Sequence, residues 1–182
     1  LALAKSSDPL SDASAPGRGA LRAQRSLRRA NRPRREKTLS LAPGSGVLVN
    51  LPGPAAKGDL FTAWEHGDLS FDCEFLLPMG SNSGIYLMGR YEVQLFDSWG
   101  KRNPTFVDCG GIYERWDETR GAGKEGVDGV SPRANACRAP GLWQTLHVEF
   151  RAPRFDANGK KVENARFLKI ELNGFLVQED VE

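Results

Sequence analysis

Three cysteines, two histidines and two methionines are all that 182 residues contain of these types. His66 and His147 stand too far apart to form a local ligand pair, and no Cys or His cluster has zinc spacing, so no metal centre is expected. Asp108, Asp117, Glu118 and Asp128 fall in long connections without the EF-hand pattern and read as solvated loop acids. A Ser-His-Asp order, a phosphate-cradling loop and a dinucleotide fingerprint are missing; GAGKEG at 121–126 lacks the GK[ST] ending and a preceding buried strand. No organic cofactor is therefore expected. No apolar run reaches about 18 residues, which excludes a membrane-spanning helix. Cys73 alternates with hydrophobes and reads as a small buried residue. Cys109 and Cys137 flank a long connection and are the only plausible pair, though an odd total neither requires nor forbids a bridge.

Charge is present but unevenly placed. Residues 1–38 hold ten Lys and Arg against three acids, a charge of +7, while residues 39–182 hold 15 against 20, a charge of −5, beneath an overall +2. The acidic body argues against nucleic-acid binding by the main domain. Residues 6–37 are rich in Ser, Ala, Pro, Gly and Arg, with Leu10, Leu21 and Leu27 as their large apolar side chains. Such a composition cannot offset the entropy of ordering, so disorder is expected. The arginines from Arg18 to Arg32 recur at helical spacing, yet a solvated tail is the simpler reading. The chain opens on Leu1, in LALA rather than at a methionine, so an upstream portion is expected to be missing or removed. The expected division is a disordered arginine-rich tail over 1–38 and one globular domain over 39–182.

From Leu39 onward, short β runs alternate with Gly, Pro, Asn and Asp. VLVN at 47–50 and LFT at 60–62 are brief strand candidates. LSFDCEFLL at 69–77 points Leu69, Phe71, Cys73, Phe75 and Leu77 one way and Ser70, Asp72 and Glu74 the other, the pattern of a half-buried strand. IYLM at 85–88 and YEVQLF at 91–96 predict a hairpin turning at Gly89-Arg90. A strand over 143–150 buries Leu146, Val148 and Phe150. A hairpin over 166–181 turns at Asn173-Gly174, with Leu168, Ile170 and Leu172 inward. No segment sustains a 3.6-residue period between caps, so an all-β sandwich or jelly roll is expected. Glu182 falls in or just after a strand, leaving backbone groups in need of a neighbour, and C-terminal truncation is expected.

The densest polar and aromatic stretch is GSNSGIYLMGRYEVQLFDSWG at 80–100. On a strand, Glu92 and Gln94 share a face about 6.6 to 7 Å apart, with Tyr91, Val93 and Leu95 on the other and Asp97 at the exit. A solvent-facing polar strand would show the same pattern.

That stretch, with CGGIYERWDETR at 109–120 and PRANACRAPGLWQTLHVEFRAPRFDANGKKVENARFLKIELNG at 132–174, resembles the 3-keto-disaccharide hydrolase domain family. The likeness runs over roughly residues 45–182, in order and through several separate motifs. It implies a concanavalin A-like lectin/glucanase jelly roll, action on glycosides oxidised at C3 of the sugar, and export to the periplasm or beyond. The expected fold class is thus an all-β concanavalin A-like jelly-roll sandwich, C-terminally truncated and preceded by a disordered basic tail. Relatives commonly continue past the last hairpin, often carry a polar residue, frequently Arg, at the position of Met88, and often Ser at that of Cys137.

A double-displacement glycosidase needs two carboxylates about 5 to 5.5 Å apart. The same-face neighbour of Glu92 is Gln94, which cannot ionise. A C3 ketone relaxes the requirement: it acidifies the C2 hydrogen, so one base suffices for elimination of the glycosidic oxygen, and water then adds to the enone. Glu92 is the first candidate base and Asp97 the alternative. Arg90 and Gln94 would polarise the ketone or fix hydroxyls, and Asn82 and Asn135 would orient the sugar. Trp99 and Trp116, in loop regions, would offer flat faces to the pyranose, while Trp143 is expected to pack. The alternative is a non-catalytic carbohydrate-binding module on the same scaffold. Either way the expected partner is a saccharide.

Overall fold

Alternation over LSFDCEFL produces the strand Leu69–Leu76, in which Ser70, Asp72 and Glu74 are exposed and Phe75 is fully buried. The same two-residue period makes Trp143–Arg151 a strand with Gln144, Leu146, Val148 and Phe150 inside. The two run antiparallel, from Trp143 opposite Leu76 to Phe150 opposite Leu69.

The computed structural model describes residues 46–50 and 59–182, and the backbone of three short strands before them. In chain order the strands are β1 (Ala2–Ala4), β2 (Leu21–Ala23), β3 (Leu41–Pro43), β4 (Val47–Val49), β5 (Leu69–Leu76), β6 (Asn82–Leu87), β7 (Tyr91–Phe96), β8 (Arg115–Trp116), β9 (Gly126–Val127), β10 (Trp143–Arg151), β11 (Arg154–Phe155), β12 (Lys161–Glu163), β13 (Arg166–Leu172) and β14 (Phe175–Val181). Apart from the backbones of β1 and β2, the expected tail over 1–38 lies outside the described residues. Among the described residues no helix is long and apolar enough to cross a membrane.

One layer is a six-stranded antiparallel sheet in the order β14-β13-β10-β5-β1-β4. The other is built on the β6–β7 hairpin, which pairs Asn82 with Phe96 and Leu87 with Tyr91. Bridges Val93–Ile112 and Ile112–Val130, and backbone bonds from Gln94 N–H to Gly111 and from Tyr113 N–H to Glu92, widen it. The β8–β9 pair extends this run. Between the layers, Phe75, Leu146, Val148, Phe150, Ile170, Leu172 and Val177 meet Leu87, Val93, Leu95 and Ile112. Each large side chain so buried stabilises the sandwich by about 1.5–3 kcal/mol. Gln178 fastens the edge strand to the second layer by donating to the carbonyls of Gly110 and Val130. The all-β sandwich expected from the sequence is the fold observed.

Three local expectations are corrected. LFT at 60–62 forms no strand, and Leu60 and Phe61 are exposed. The hairpin of the second layer turns at Met88 and Gly89, both left-handed (φ 54° and 63°), with Arg90 N–H donating to Leu87, rather than at Gly89-Arg90. In β13, Leu168 is the extra residue of a bulge opposite Glu149/Phe150, so Phe167 takes the inward place and Leu168 is exposed. The Asn173-Gly174 turn forms as expected, with φ of 55° and 80°.

Candidate active site

On the hairpin face turned from the core, Tyr86 of β6 stands directly opposite Glu92 of β7 and donates its hydroxyl to Glu92 Oε2 at 2.7 Å. Gly84 follows two positions along the same face. A Cβ on Gly84 would fall 1.9 Å from Glu92 Oε1 and 2.7 Å from its Cδ. The carboxylate therefore lies across the bare Gly84 backbone, in space that any larger residue would fill.

Half-burial raises Glu92 above the ordinary carboxylate range; the Tyr86 hydrogen bond pulls it back, and the nearby Asp59 charge adds to the rise. The Tyr86 hydroxyl is pushed up to about 12, first by its bond to Glu92 and then by burial. A carboxylate so held is a stronger base than a solvated one, fixed by one oxygen and, among the described residues, unbonded at the other.

Gln94 lies opposite Gly84 on this face, but the connection after Thr105 closes over it. It is only 2 % exposed, its Nε2 donates to Val107, and its Oε1 is buried without a partner. In the same connection the Phe106 ring meets Tyr113 edge-on at 5.7 Å. Asp108 staples the loop: it is 1 % exposed and accepts from Lys101 Nζ at 2.6 Å and from Thr105 N–H and Oγ1. Burial alone would raise its pKa, yet these donors hold it below the ordinary range.

The other residues expected at the site are dispersed. Arg90 is exposed on the hairpin turn. Asn82 is exposed on the Glu92 face, opposite Phe96. Asp97 accepts from Gly80 N–H at 2.9 Å. Five residues of extended chain put it about 16 Å from Glu92. Trp99 beyond it is 52 % exposed, and Trp116 on β8 is 69 % exposed. Asn135 has both amide hydrogens committed, to Ser98 and Lys101 carbonyls, while its oxygen accepts from Ser98 Oγ and Cys137 N–H. It fastens two loops, which leaves no free N–H for a sugar hydroxyl.

Among the described residues there is no cluster of three or more His, Cys, Asp or Glu able to hold a metal. A shallow depression of about 300 Å³ lies on the six-stranded sheet, between Asp68, Leu69, Ser70, Glu149, Phe150 and Leu168. Asp68 there is engaged by Arg154 and by Ala152 N–H, and Glu149 by His147 Nε2.

Residues 30–182 match the family model described as a 3-keto-alpha-glucoside-1,2-lyase-like domain. The chain belongs to that family. A crystal structure described as that of a candidate glycosyl hydrolase from Parabacteroides distasonis ATCC 8503 is 27% identical, with a TM-score of 0.47. The match covers 66% of this chain and 51% of that one, so the chain spans about half the length of that protein. No curated protein matches the chain.

The candidate site includes two residues that the sequence reading did not assign to it, Tyr86 and Gly84. The available signal was symmetry: around a turn at Met88-Gly89, with Leu87 opposite Tyr91, the next pair outward is Tyr86 with Glu92.

Proposed function

We propose that the domain cleaves 3-keto-glycosides by elimination followed by hydration. Glu92 Oε1 takes the proton from C2, whose acidity comes from the C3 carbonyl, and the electron pair is held as the enolate. The enolate then collapses to the enone as the C1–O bond breaks, and the departing oxygen gains the proton that Glu92 took, which restores the carboxylate. Water adds across the enone, hydroxyl to C1 and proton to C2, so the net change is hydrolysis. Tyr86 holds the second carboxylate oxygen throughout, as a positioning residue. Arg90, beside the hairpin turn, is the candidate for the enolate oxygen. Gln94, covered by its loop, shapes the wall on which Glu92 lies. Asn82 and the exposed rings of Trp99 and Trp116 would line the sugar path. Asp97, at the strand exit with an oxygen committed to Gly80, is the alternative base. Export and a saccharide substrate outside the cytoplasm accompany this reading.

The observation that carries the proposal is the raised, half-buried Glu92 carboxylate, tied by Tyr86 and seated over Gly84. The test is release of monosaccharide from a 3-keto-disaccharide and from its unoxidised parent. Release from the ketone alone, reduced about 10²-fold or more in Glu92→Gln, is expected. Release from the parent alone would reject the scheme. The exposure of Trp116 and Trp99 favours a second reading, a non-catalytic binding module. Retention of sugar without cleavage of either substrate would favour it.

A further inference from the structure

Cys109 and Cys137 take no part in the proposed chemistry, and both lie in the buried cluster. Cys137 Sγ lies 3.6 Å from the Phe96 carbonyl, 3.4 Å from that of Arg138 and 3.6 Å from Gln144 Nε2. The Cys109 thiol is hydrogen-bonded to Cys137 Sγ. Backbone bonds hold both ends of this contact: Cys109 N–H donates to Ser98 Oγ, and Cys137 N–H donates to Asn135 Oδ1. Ser98 Oγ in turn donates to Asn135 Oδ1, so one hydroxyl ties the two cysteine backbones together, and two sulfurs in contact and held in this way are placed to be joined.

We propose that Cys109 and Cys137 are a cross-linking site, which a disulfide-type oxidant converts to an intramolecular disulfide. The segment so closed, residues 110–136, carries Ile112, Tyr113, Trp116 and Val130, the strands that widen the site layer beside β7. The bond would pin both ends of that segment near Phe96, at the exit of β7.

The two thiols have unequal roles. Cys109 is fully buried and donates its hydrogen to Cys137, which raises the Cys109 pKa and lowers that of Cys137. The Cys137 thiolate attacks a small disulfide; the S–S bond of the reagent breaks, one thiol leaves, and a mixed disulfide remains. Cys109 then loses its proton, attacks Cys137 Sγ and expels the second thiol. The protein loses two electrons and two protons, which the reagent gains. Cys73 stands apart on β5, its thiol pushed up to about 12 by burial first and by its acidic neighbours second, and takes no part.

The test refolds the full chain with and without hydroxyethyl disulfide, alkylates the remaining thiols and maps the peptides by mass. The expected product is lighter by two hydrogens, joins the peptides holding Cys109 and Cys137, and leaves Cys73 alkylated. It melts roughly 10 °C above the reduced protein, as closure of a segment of this length predicts. Cys137→Ser abolishes both the link and the shift. Three alkylated cysteines after oxidation, or a link through Cys73, would overturn the proposal. The mapping is made on the unaltered chain, so it decides even where the variant folds poorly, and its outcome is independent of the sugar chemistry.

Discussion

Replacing Gly84 with alanine should separate the seat of Glu92 from the integrity of the fold. The added methyl would lie 1.9 Å from Glu92 Oε1, 2.7 Å from Cδ and 2.8 Å from Cγ. Carbon contacts settle near 3.5–4.0 Å, so the carboxylate must retreat by about 1.5 Å or adopt another rotamer. A displacement of about 1 Å at a reacting group costs on the order of 10²-fold in rate. The stability cost is small, because the group that moves is the end of a flexible side chain. Off-rotamer strain of about 0.5–1.5 kcal/mol is offset by about 0.4–1 kcal/mol from the stiffer unfolded chain. Gly84→Ala should therefore turn over a 3-keto-disaccharide about 10²-fold more slowly while melting within a few degrees of the parent. The Tyr86 phenol, released from Glu92, should titrate below its present value of about 12. Gly67→Ala, where an added methyl meets nothing within 4 Å, serves as the control and should change neither reading. Undiminished turnover in Gly84→Ala would refute the reasoning.

The acid limb of kcat/KM should lie above the range of an ordinary glutamate, because Glu92 must be ionised to act and burial raises its pKa; Tyr86→Phe removes the bond that holds it down and should move the limb higher still. Asp108→Asn should destabilise the fold by about 1–3 kcal/mol in urea titrations at neutral pH, since it loses a charge-assisted bond from Lys101. The contribution of Asp108, whose folded pKa is depressed, is present above the unfolded value of 3.8 and lost as pH falls through the lower folded one, so the gap between variant and parent should close in acid. His147 lies between Asp72 and Glu149; its burial opposes the positive charge, but the two carboxylates prevail and raise its pKa. Its contribution is present below the unfolded value of 6.5 and lost as pH rises through the higher folded one, and His147→Gln should flatten that slope in thermal melts.

The period of two over 69–77 and 143–150 made the central strands of the large sheet legible, because one face of each is buried and the other is wet. Asn173-Gly174 announced its hairpin through the left-handed geometry both positions must adopt. The site hairpin was harder. Its left-handed residues are Met88 and Gly89, and methionine gives no warning of that conformation. Shifting the turn by one residue sends Tyr86 to the opposite face from Glu92, so the hydrogen bond that holds the base stays hidden until the register is known. Leu168 was misplaced for a related reason, since a bulge breaks the period without any mark in composition. Gln94 was assigned correctly to the Glu92 face, but its cover comes from a loop more than ten residues away, beyond what strand periodicity encodes. Asn135 had the composition of a sugar ligand, and only the positions of Ser98, Lys101 and Cys137 reveal that its hydrogen bonds are spent.

Running the reaction in deuterium oxide tests most directly whether Glu92 works at C2. Elimination and re-addition must deliver a solvent hydrogen to C2, so the released 3-keto-sugar should carry deuterium there in early turnovers of the parent enzyme, and Glu92→Gln should show neither release nor labelling above background. Release of sugar that keeps its original hydrogen at C2 would mean that the glycosidic bond breaks without the proton transfer, and would contradict the account.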